Sequence, residues 1–198
     1  MRCPLGMGKM RSGPGRPLRA RFIILIAVVA AGCSAATEPI PADGSTRSVI
    51  DNTLWVVTGA GNDPFLAGSE SVEACPPSAH AVDPEMSTTW YSVETRTCNY
   101  LSLEQKLSAP IVAGAQVRLR MFHFVLVDGT GYRLGVAMGD PGEIVAEVEI
   151  EGPSQSAPIV TEWTATRDYQ VGERVVWNVH NDGANTWSIV DITISAAH

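Results

Sequence analysis

The sequence QVRLRMFHFVLV, residues 116–127, decides the fold because its side chains alternate between two kinds of environment. The odd-numbered positions are apolar except for His123. The even-numbered positions are polar as far as Arg118 and Arg120, and the later ones are apolar. A two-residue repeat is typical of an extended strand. We expect Val125 and Val127 to face inward with the other odd-numbered residues. The apolar second half predicts cover on both faces, by an opposing sheet and by a loop.

The same two-residue period continues on both sides of this stretch, interrupted at short intervals by clusters of Gly, Pro, Asn and Asp. The further predicted strands are residues 53–58, 88–94, 99–106, 132–138, 143–151, 159–165, 174–180 and 186–195. Residues 65–86 are polar and predict a long loop. About nine strands at this spacing, with no convincing helical period, predict an all-β fold, a single antiparallel β-sandwich.

The N-terminal segment, residues 1–32, has the composition of a secretory signal. Six basic residues and no acidic residue lie before Phe22, and an apolar run follows from Phe22 to Ala31. That run is too short to cross a bilayer, which takes roughly 20 residues as a helix. A basic lead, a short apolar core and small residues at its end predict export and cleavage.

The residues Ala30, Ala31, Gly32 and Cys33 close the apolar run and resemble the lipid-attachment box of bacterial lipoproteins. The resemblance implies a diacylglyceryl group on the Cys33 sulfur and cleavage before that residue. Ser34 follows, which resembles the pattern sorted to the outer membrane. An ordinary signal peptide that ends near a cysteine is the alternative.

Composition divides the remaining chain into a linker and one domain. Residues 33–48 are rich in Ala, Thr, Pro, Ser and Gly and predict a lipid anchor followed by a flexible linker, whereas residues 49–198 are long enough for one domain. Loss of the signal's six basic residues from the 14 leaves eight against 21 acidic ones, a formal net charge of −13. This charge argues against nucleic acid as a partner and against charge-driven docking on anionic lipid.

The cysteines of the predicted domain are Cys75 and Cys98. An even pair in an oxidising compartment predicts a disulfide, with reactive thiols as the minor alternative. Two thiolates without a Cys-x-x-Cys spacing are too few for a zinc site. An exported, strand-only, disulfide-clipped domain resembles the jelly-roll and galactose-binding-like sandwiches in architecture.

The best candidate ligand site combines aromatic rings with amides in the loop before the last strand. Trp90 shares its register with Ser92 and Glu94. Trp187 shares its register with Asp191 and Thr193 if Val190, Ile192 and Ile194 point inward. Exposed rings offer flat platforms for the CH faces of sugars, and the polar groups next to Trp187 could bind hydroxyls: His180, Asn181, Asp182 and Asn185. The alternative is that a loop covers both rings and that the amides only shape a turn.

Chemical motifs give no catalytic assignment. The chain has no Gly-x-Ser-x-Gly elbow, His-Glu-x-x-His pair, phosphate loop or dinucleotide fingerprint, so no catalytic residue, cofactor or metal is predicted. His123 fits a hydrogen-bonded core histidine better than a metal ligand partnered by His180. Other weak candidates are a row of glutamates suited to glycosidase chemistry or a solvated face (Glu147, Glu149, Glu151) and turn aspartates suited to calcium (Asp128, Asp140, Asp182).

The sequence therefore favours a lipid-anchored module that binds a ligand, with carbohydrate as the leading class. One alternative is a structural or protein-interaction lipoprotein of the cell envelope, which would show an exposed apolar patch. A lesser alternative is an envelope hydrolase, which needs His123 or His180 near an acid and a nucleophile.

Overall fold

The computed structural model describes residues 46–66, 72–83, 89–127, 131–181 and 183–195. These residues belong to one compact unit of the chain, Thr37–His198. The predicted signal, the lipid site at Cys33 and most of the predicted linker lie outside the described residues, as do Asp128 and Asp182.

The described chain is all-β, as predicted, with two 3₁₀ turns (Ala60–Asn62 and Pro77–Ala79) as its only helical segments. Its eleven strands are β1 (Arg47–Ser48), β2 (Val56–Val57), β3 (His80–Asp83), β4 (Trp90–Glu94), β5 (Tyr100–Lys106), β6 (Gln116–His123), β7 (Tyr132–Met138), β8 (Glu143–Ile150), β9 (Ala157–Thr164), β10 (Arg174–His180) and β11 (Thr186–Ser195).

The strands form two antiparallel sheets that pack face to face as a single sandwich. The six-stranded sheet has the order β3-β4-β11-β6-β9, with β1 beside the end of β11, and the five-stranded sheet has the order β2-β5-β10-β7-β8. From β5 to β7 the chain crosses from one sheet to the other and back, and β9, β10 and β11 do the same. Such crossing between two antiparallel sheets is the jelly-roll arrangement.

The core lies between the inner faces of the two sheets. Each strand contributes every second residue, which is why the two-residue sequence period identifies the buried set. The largest of these fully buried side chains include Trp177, Trp187 and Tyr132. The rings of Tyr132 and Trp187, from opposite sheets, lie 5.7 Å apart between centroids, so the layers interdigitate at this point.

A β-bulge in β11 corrects the predicted orientation of Trp187. The pairing of β11 with β6 shifts between Ile189 and Asp191, so one extra residue interrupts the alternation there. Ile192 and Ile194 point inward, as predicted. Before the bulge, however, the buried residues are Trp187 and Ile189 rather than Val190.

Two further registers differ from the prediction. β6 ends at His123, and beyond it Leu126 is buried and paired with Ser154, whereas Val125 and Val127 are exposed. A register shift between Val136 and Ala137, opposite β8, likewise interrupts the two-residue period predicted for residues 143–151 and leaves Ile144 exposed. At each irregularity the inward and outward positions exchange along the rest of the strand. A two-residue sequence period does not predict where such an irregularity lies.

The predicted bounds of several elements also change. β3 lies inside the segment predicted to be a loop, and the strand predicted over residues 53–58 shrinks to the two residues of β2. Arg47 and Ser48 pair with Ile194 and Thr193, so the ordered domain begins before residue 49.

The predicted disulfide between Cys75 and Cys98 is present. It joins the segment before β3 to the turn between β4 and β5, with the two Cα atoms 4.8 Å apart. The backbone N–H of Cys75 also donates to the carbonyl of Tyr100, so the bridge fixes a loop onto the start of β5.

Residues 58–66, here called the cover segment, lie across the outer face of the five-stranded sheet. Tyr100 donates a hydrogen bond of 2.7 Å to the Asp63 carboxylate, and Phe65 packs directly on Gly135. Beneath the segment, the outward residues Ser102 and Asn178 are buried and bonded to each other at 2.9 Å. Burial raises the pKa of the Tyr100 phenol. The centre of this face is therefore closed by the protein's own chain.

Candidate functional site

The structure does not bring the predicted ligand residues together. Trp187 is only 1% exposed and packs in the core against His123 and Tyr132, so the prediction of an exposed ring is wrong there. Trp90 is half-buried on the outer face of the six-stranded sheet. His180 is half-buried on the five-stranded sheet, where its ring meets the edge of Tyr100 and Arg133 donates to its Nδ1 atom.

The side-chain amides of Asn181 and Asn185 form hydrogen bonds within the protein. Asn181 donates through Nδ2 to Thr95 Oγ1 and to the Gly183 carbonyl, and its Oδ1 accepts from Asn185 Nδ2 at 2.8 Å. Both asparagines are buried. They tie the loop before β11 to the turn after β4, so the bonded amide groups are used within the protein. Asn185 Oδ1 is buried with no hydrogen-bond partner among the described residues.

The remaining weak candidates also have protein partners or lie at the surface. His123 is buried and its Nδ1 lies 2.8 Å from the Phe124 carbonyl, the geometry of a hydrogen-bonded core histidine. The glutamates of β8 are exposed along an edge strand. Within the described ranges, no group of three or more His, Cys, Asp or Glu side chains could hold a metal ion.

The described residues include no helix long and apolar enough to cross a membrane. They do contain a polar cleft of about 540 Å³, lined by Glu104, Lys106, Asp140, Glu173 and Arg174 among others. Arg174 forms an ion pair there with Glu104 and donates to the Asn62 carbonyl, so its guanidinium already has partners within the protein.

An aromatic cluster distinguishes the outer face of the six-stranded sheet. The ring centroids of Trp90 and Phe122 lie 5.8 Å apart, and those of Phe122 and Phe124 lie 5.3 Å apart. Phe124 is 38% exposed, and the other two rings are half-buried. We call these three residues the aromatic patch.

Sheet register explains how the patch forms. Phe122 lies opposite Ser188 on the central strand β11, and Ser188 lies opposite Ser92 on β4. Serine is small, so the rings of Trp90 and Phe122 can lean toward each other above it. Phe124 extends the patch just past the end of β6, where its N–H donates to the Thr186 carbonyl.

Polar groups border the patch on the same face. The hydroxyls of Ser92 and Ser188 lie 2.8 Å apart, and further along the sheet Arg120 forms a two-point ion pair with Asp191. The bond to Asp191 raises the pKa of Arg120, so this cation is held charged. Arg118 donates through Nε to Glu162 Oε1 at 2.6 Å. An apolar platform beside hydrogen-bonding groups suits a ligand with one apolar face and many hydroxyls.

The sequence predicts Trp90 as a ligand residue but does not predict Phe122 and Phe124 as its partners. The two-residue period places Phe122 and Phe124 on the same face as Arg118 and Arg120, and their apolar character predicts that a loop covers them. Aromatic residues that continue the register of exposed arginines were the available signal for an open aromatic face.

No family model matches the chain, and no curated protein matches it. Among solved structures, the carbohydrate-binding module TmCBM27, described for specific mannan recognition, has a TM-score of 0.50 at 8% identity, over 78% of this chain and 96% of that chain. The module TmCBM61, solved with β-1,4-galactotriose, has a TM-score of 0.45 at 13% identity, over 75% and 97% of the two chains.

A third similar structure is the C-terminal CBM6 of LamC from Zobellia galactanivorans, with a TM-score of 0.43 at 10% identity over 77% of this chain and all of that one. Identities this low support a conclusion about fold alone. The likeness to TmCBM27 therefore identifies the architecture as a jelly-roll β-sandwich.

Proposed function

We propose that this domain binds carbohydrate and that the aromatic patch is its ligand surface. The observation that carries the proposal is the meeting of Trp90, Phe122 and Phe124 on the outer face of the six-stranded sheet, with Phe124 38% exposed. The CH groups of a pyranose ring pack on such rings, which releases water from both surfaces.

The polar border supplies the second half of the recognition. The half-buried Ser92 hydroxyl can donate and accept, and the Arg120 and Asp191 pair offers both a donor and an acceptor. Sugar hydroxyls need such groups because a polar group that loses water without a partner costs free energy. The similarity in fold to TmCBM27, which is described for mannan recognition, is consistent with this use of the sandwich.

The proposal includes the predicted location. We propose that the chain is exported, acylated at Cys33 and held at the outer membrane, because residues 1–33 combine a basic lead, a short apolar core and a terminal cysteine. Mass spectrometry of the purified protein tests this part: an acylated N-terminal peptide beginning at Cys33 is expected. An unmodified peptide with another start would refute it.

Alanine substitution tests the proposed surface. In the protein purified in detergent, we expect Trp90→Ala or Phe124→Ala to weaken any glycan affinity at least tenfold, about 1.4 kcal/mol. Val171→Ala is the control, because Val171 is 60% exposed and lies in the loop before β10. Equal affinity of Trp90→Ala, Phe124→Ala and Val171→Ala would refute the site, and binding to no glycan on an array would refute the function.

A second candidate is protein interaction through the edge of the five-stranded sheet. The short edge strand β2 consists of Val56 and Val57, which are 58% and 54% exposed, and Leu54 just before it is 57% exposed. Grouped exposed apolar residues on an edge favour contact with another protein. Loss of a co-purifying envelope protein on Val56→Lys would support it. The hydrolase alternative remains a sequence prediction that no described geometry favours.

A further inference from the structure

We infer that the aromatic patch takes a single, soluble chain of a neutral glycan and not the flat face of an insoluble polysaccharide or an anionic glycan. This inference rests on the proposed function and narrows its ligand class. It follows from two features: the mutual tilt of the rings and the pairing of the arginines beside them.

The three rings of the aromatic patch do not share a plane. The planes of Trp90 and Phe122 differ by 41°, and those of Phe122 and Phe124 by 81°. A crystalline polysaccharide presents one flat surface, which can contact several rings face-on only if those rings lie in one plane. A patch with two rings nearly perpendicular therefore cannot place all its apolar area against such a surface.

A single glycan chain has no such restriction. Rotation about the bonds between its sugar units turns successive rings to different angles, so neighbouring units can pack on differently tilted side chains. The centroid separations of 5.8 and 5.3 Å also keep the platform short, which suits an oligosaccharide segment. The tilt thus favours a soluble chain that adapts to the patch.

The charges beside the patch favour a neutral chain. On the outer face of β6, Arg120 is bound by Asp191, and Arg118 donates to Glu162 at 2.6 Å. Each guanidinium that could attract an acidic sugar is thus already neutralised by a carboxylate. The predicted mature chain also carries a formal charge of −13, which opposes the approach of a polyanion at low salt.

Four purified probes test the inference with the full detergent-solubilised protein: soluble mixed-linkage β-glucan, soluble galactomannan, polygalacturonate and microcrystalline cellulose. We expect one or both neutral soluble polymers to retard the protein in affinity electrophoresis, with retardation lost in Phe124→Ala and retained in Val171→Ala. We expect no retardation by polygalacturonate and no co-sedimentation with cellulose above a bovine albumin control.

A second variant tests the charge argument on its own. Asp191→Asn leaves Arg120 without its carboxylate partner, so the affinity for polygalacturonate relative to that for the neutral polymer should rise at least fivefold. If this relative affinity does not rise in Asp191→Asn, the charge argument is wrong.

The outcomes separate the inference from the proposed function. Binding to cellulose, or tighter binding to polygalacturonate than to the neutral polymers, would overturn the inference while leaving carbohydrate binding intact. Binding to none of the four probes, nor to any glycan on an array, would overturn both.

Discussion

Gly135 offers the sharpest test of how the five-stranded sheet is closed. It lies on β7 under Phe65 of the cover segment, and a Cβ added there would lie 2.7 Å from Phe65 Cζ. That is well inside van der Waals contact, so Gly135→Ala must push the Phe65 ring off the sheet. The backbone at Gly135 is not in the left-handed region, so the strain comes from packing alone.

The expected cost is the difference between two terms. Overpacking a filled site costs about 1–3 kcal/mol. Alanine returns about 0.5–1 kcal/mol relative to glycine inside a strand, because glycine loses more backbone entropy on folding. Gly135→Ala should therefore lower the free energy of unfolding by roughly 1 kcal/mol, within the range of about 0–2.5 kcal/mol that the two terms span, measured by urea denaturation followed by tryptophan fluorescence.

Two controls make the test specific. Gly61→Ala changes the cover segment where a Cβ would meet nothing within 4 Å, and it should alter stability by less than about 0.5 kcal/mol. In a Phe65→Ala background the clash is gone, so the cost of Gly135→Ala should fall by about 1 kcal/mol or more. Equal unfolding midpoints for Gly135→Ala and Gly61→Ala, or strict additivity with Phe65→Ala, would show that Phe65 does not pack on this sheet.

The remaining predictions concern the disulfide, one histidine and one amide. Replacing both Cys75 and Cys98 by serine should lower the free energy of unfolding by about 3 kcal/mol, because the bridge spans 23 residues, and an unchanged urea midpoint would contradict this. Burial lowers the pKa of His80 below 6.5, so the unfolded chain takes up a proton first as pH falls. Stability should therefore decrease as pH drops below about 6.5 toward the lower folded-state pKa, and His80→Gln should flatten that part of a urea-midpoint profile; a parallel profile would refute the assignment. Asn181→Ala should destabilise the domain by about 2–3 kcal/mol in the same urea assay, since it removes both the donor to Gly183 and the acceptor for Asn185. A loss of glycan affinity at unchanged stability would instead place Asn181 in a ligand site.

The fold was predictable because strand periodicity is a local signal. The predicted bounds of β7, β10 and β11 coincide with those of the structure, and each contributes alternate residues to the core. The position of Trp187 was not predictable, because the bulge between Ile189 and Asp191 is defined by pairing with a strand distant in the chain. A single inserted residue moved a tryptophan from the surface to the core.

The candidate site was only partly predictable for the same reason. Trp90 stands in the predicted register, but its partners come from β6, and β11 lies between β6 and β4 in the sheet. Strand order decides which aromatic residues meet, and a periodic pattern contains no information about order. The amide of Asn181 was assigned to a ligand because its acceptor, Thr95, lies 86 residues away in sequence and the pattern gives no sign of that contact.

β11 pairs with β1 near its C-terminal end and lies beneath the aromatic patch near its N-terminal end. The chain enters the domain at Arg47, opposite Ile194, whereas the aromatic patch surrounds Ser188 on the same strand. Six residues of extended chain place these points about 20 Å apart. Whatever holds the upstream chain is thus attached at one end of the sheet, and the proposed glycan surface lies toward the other end.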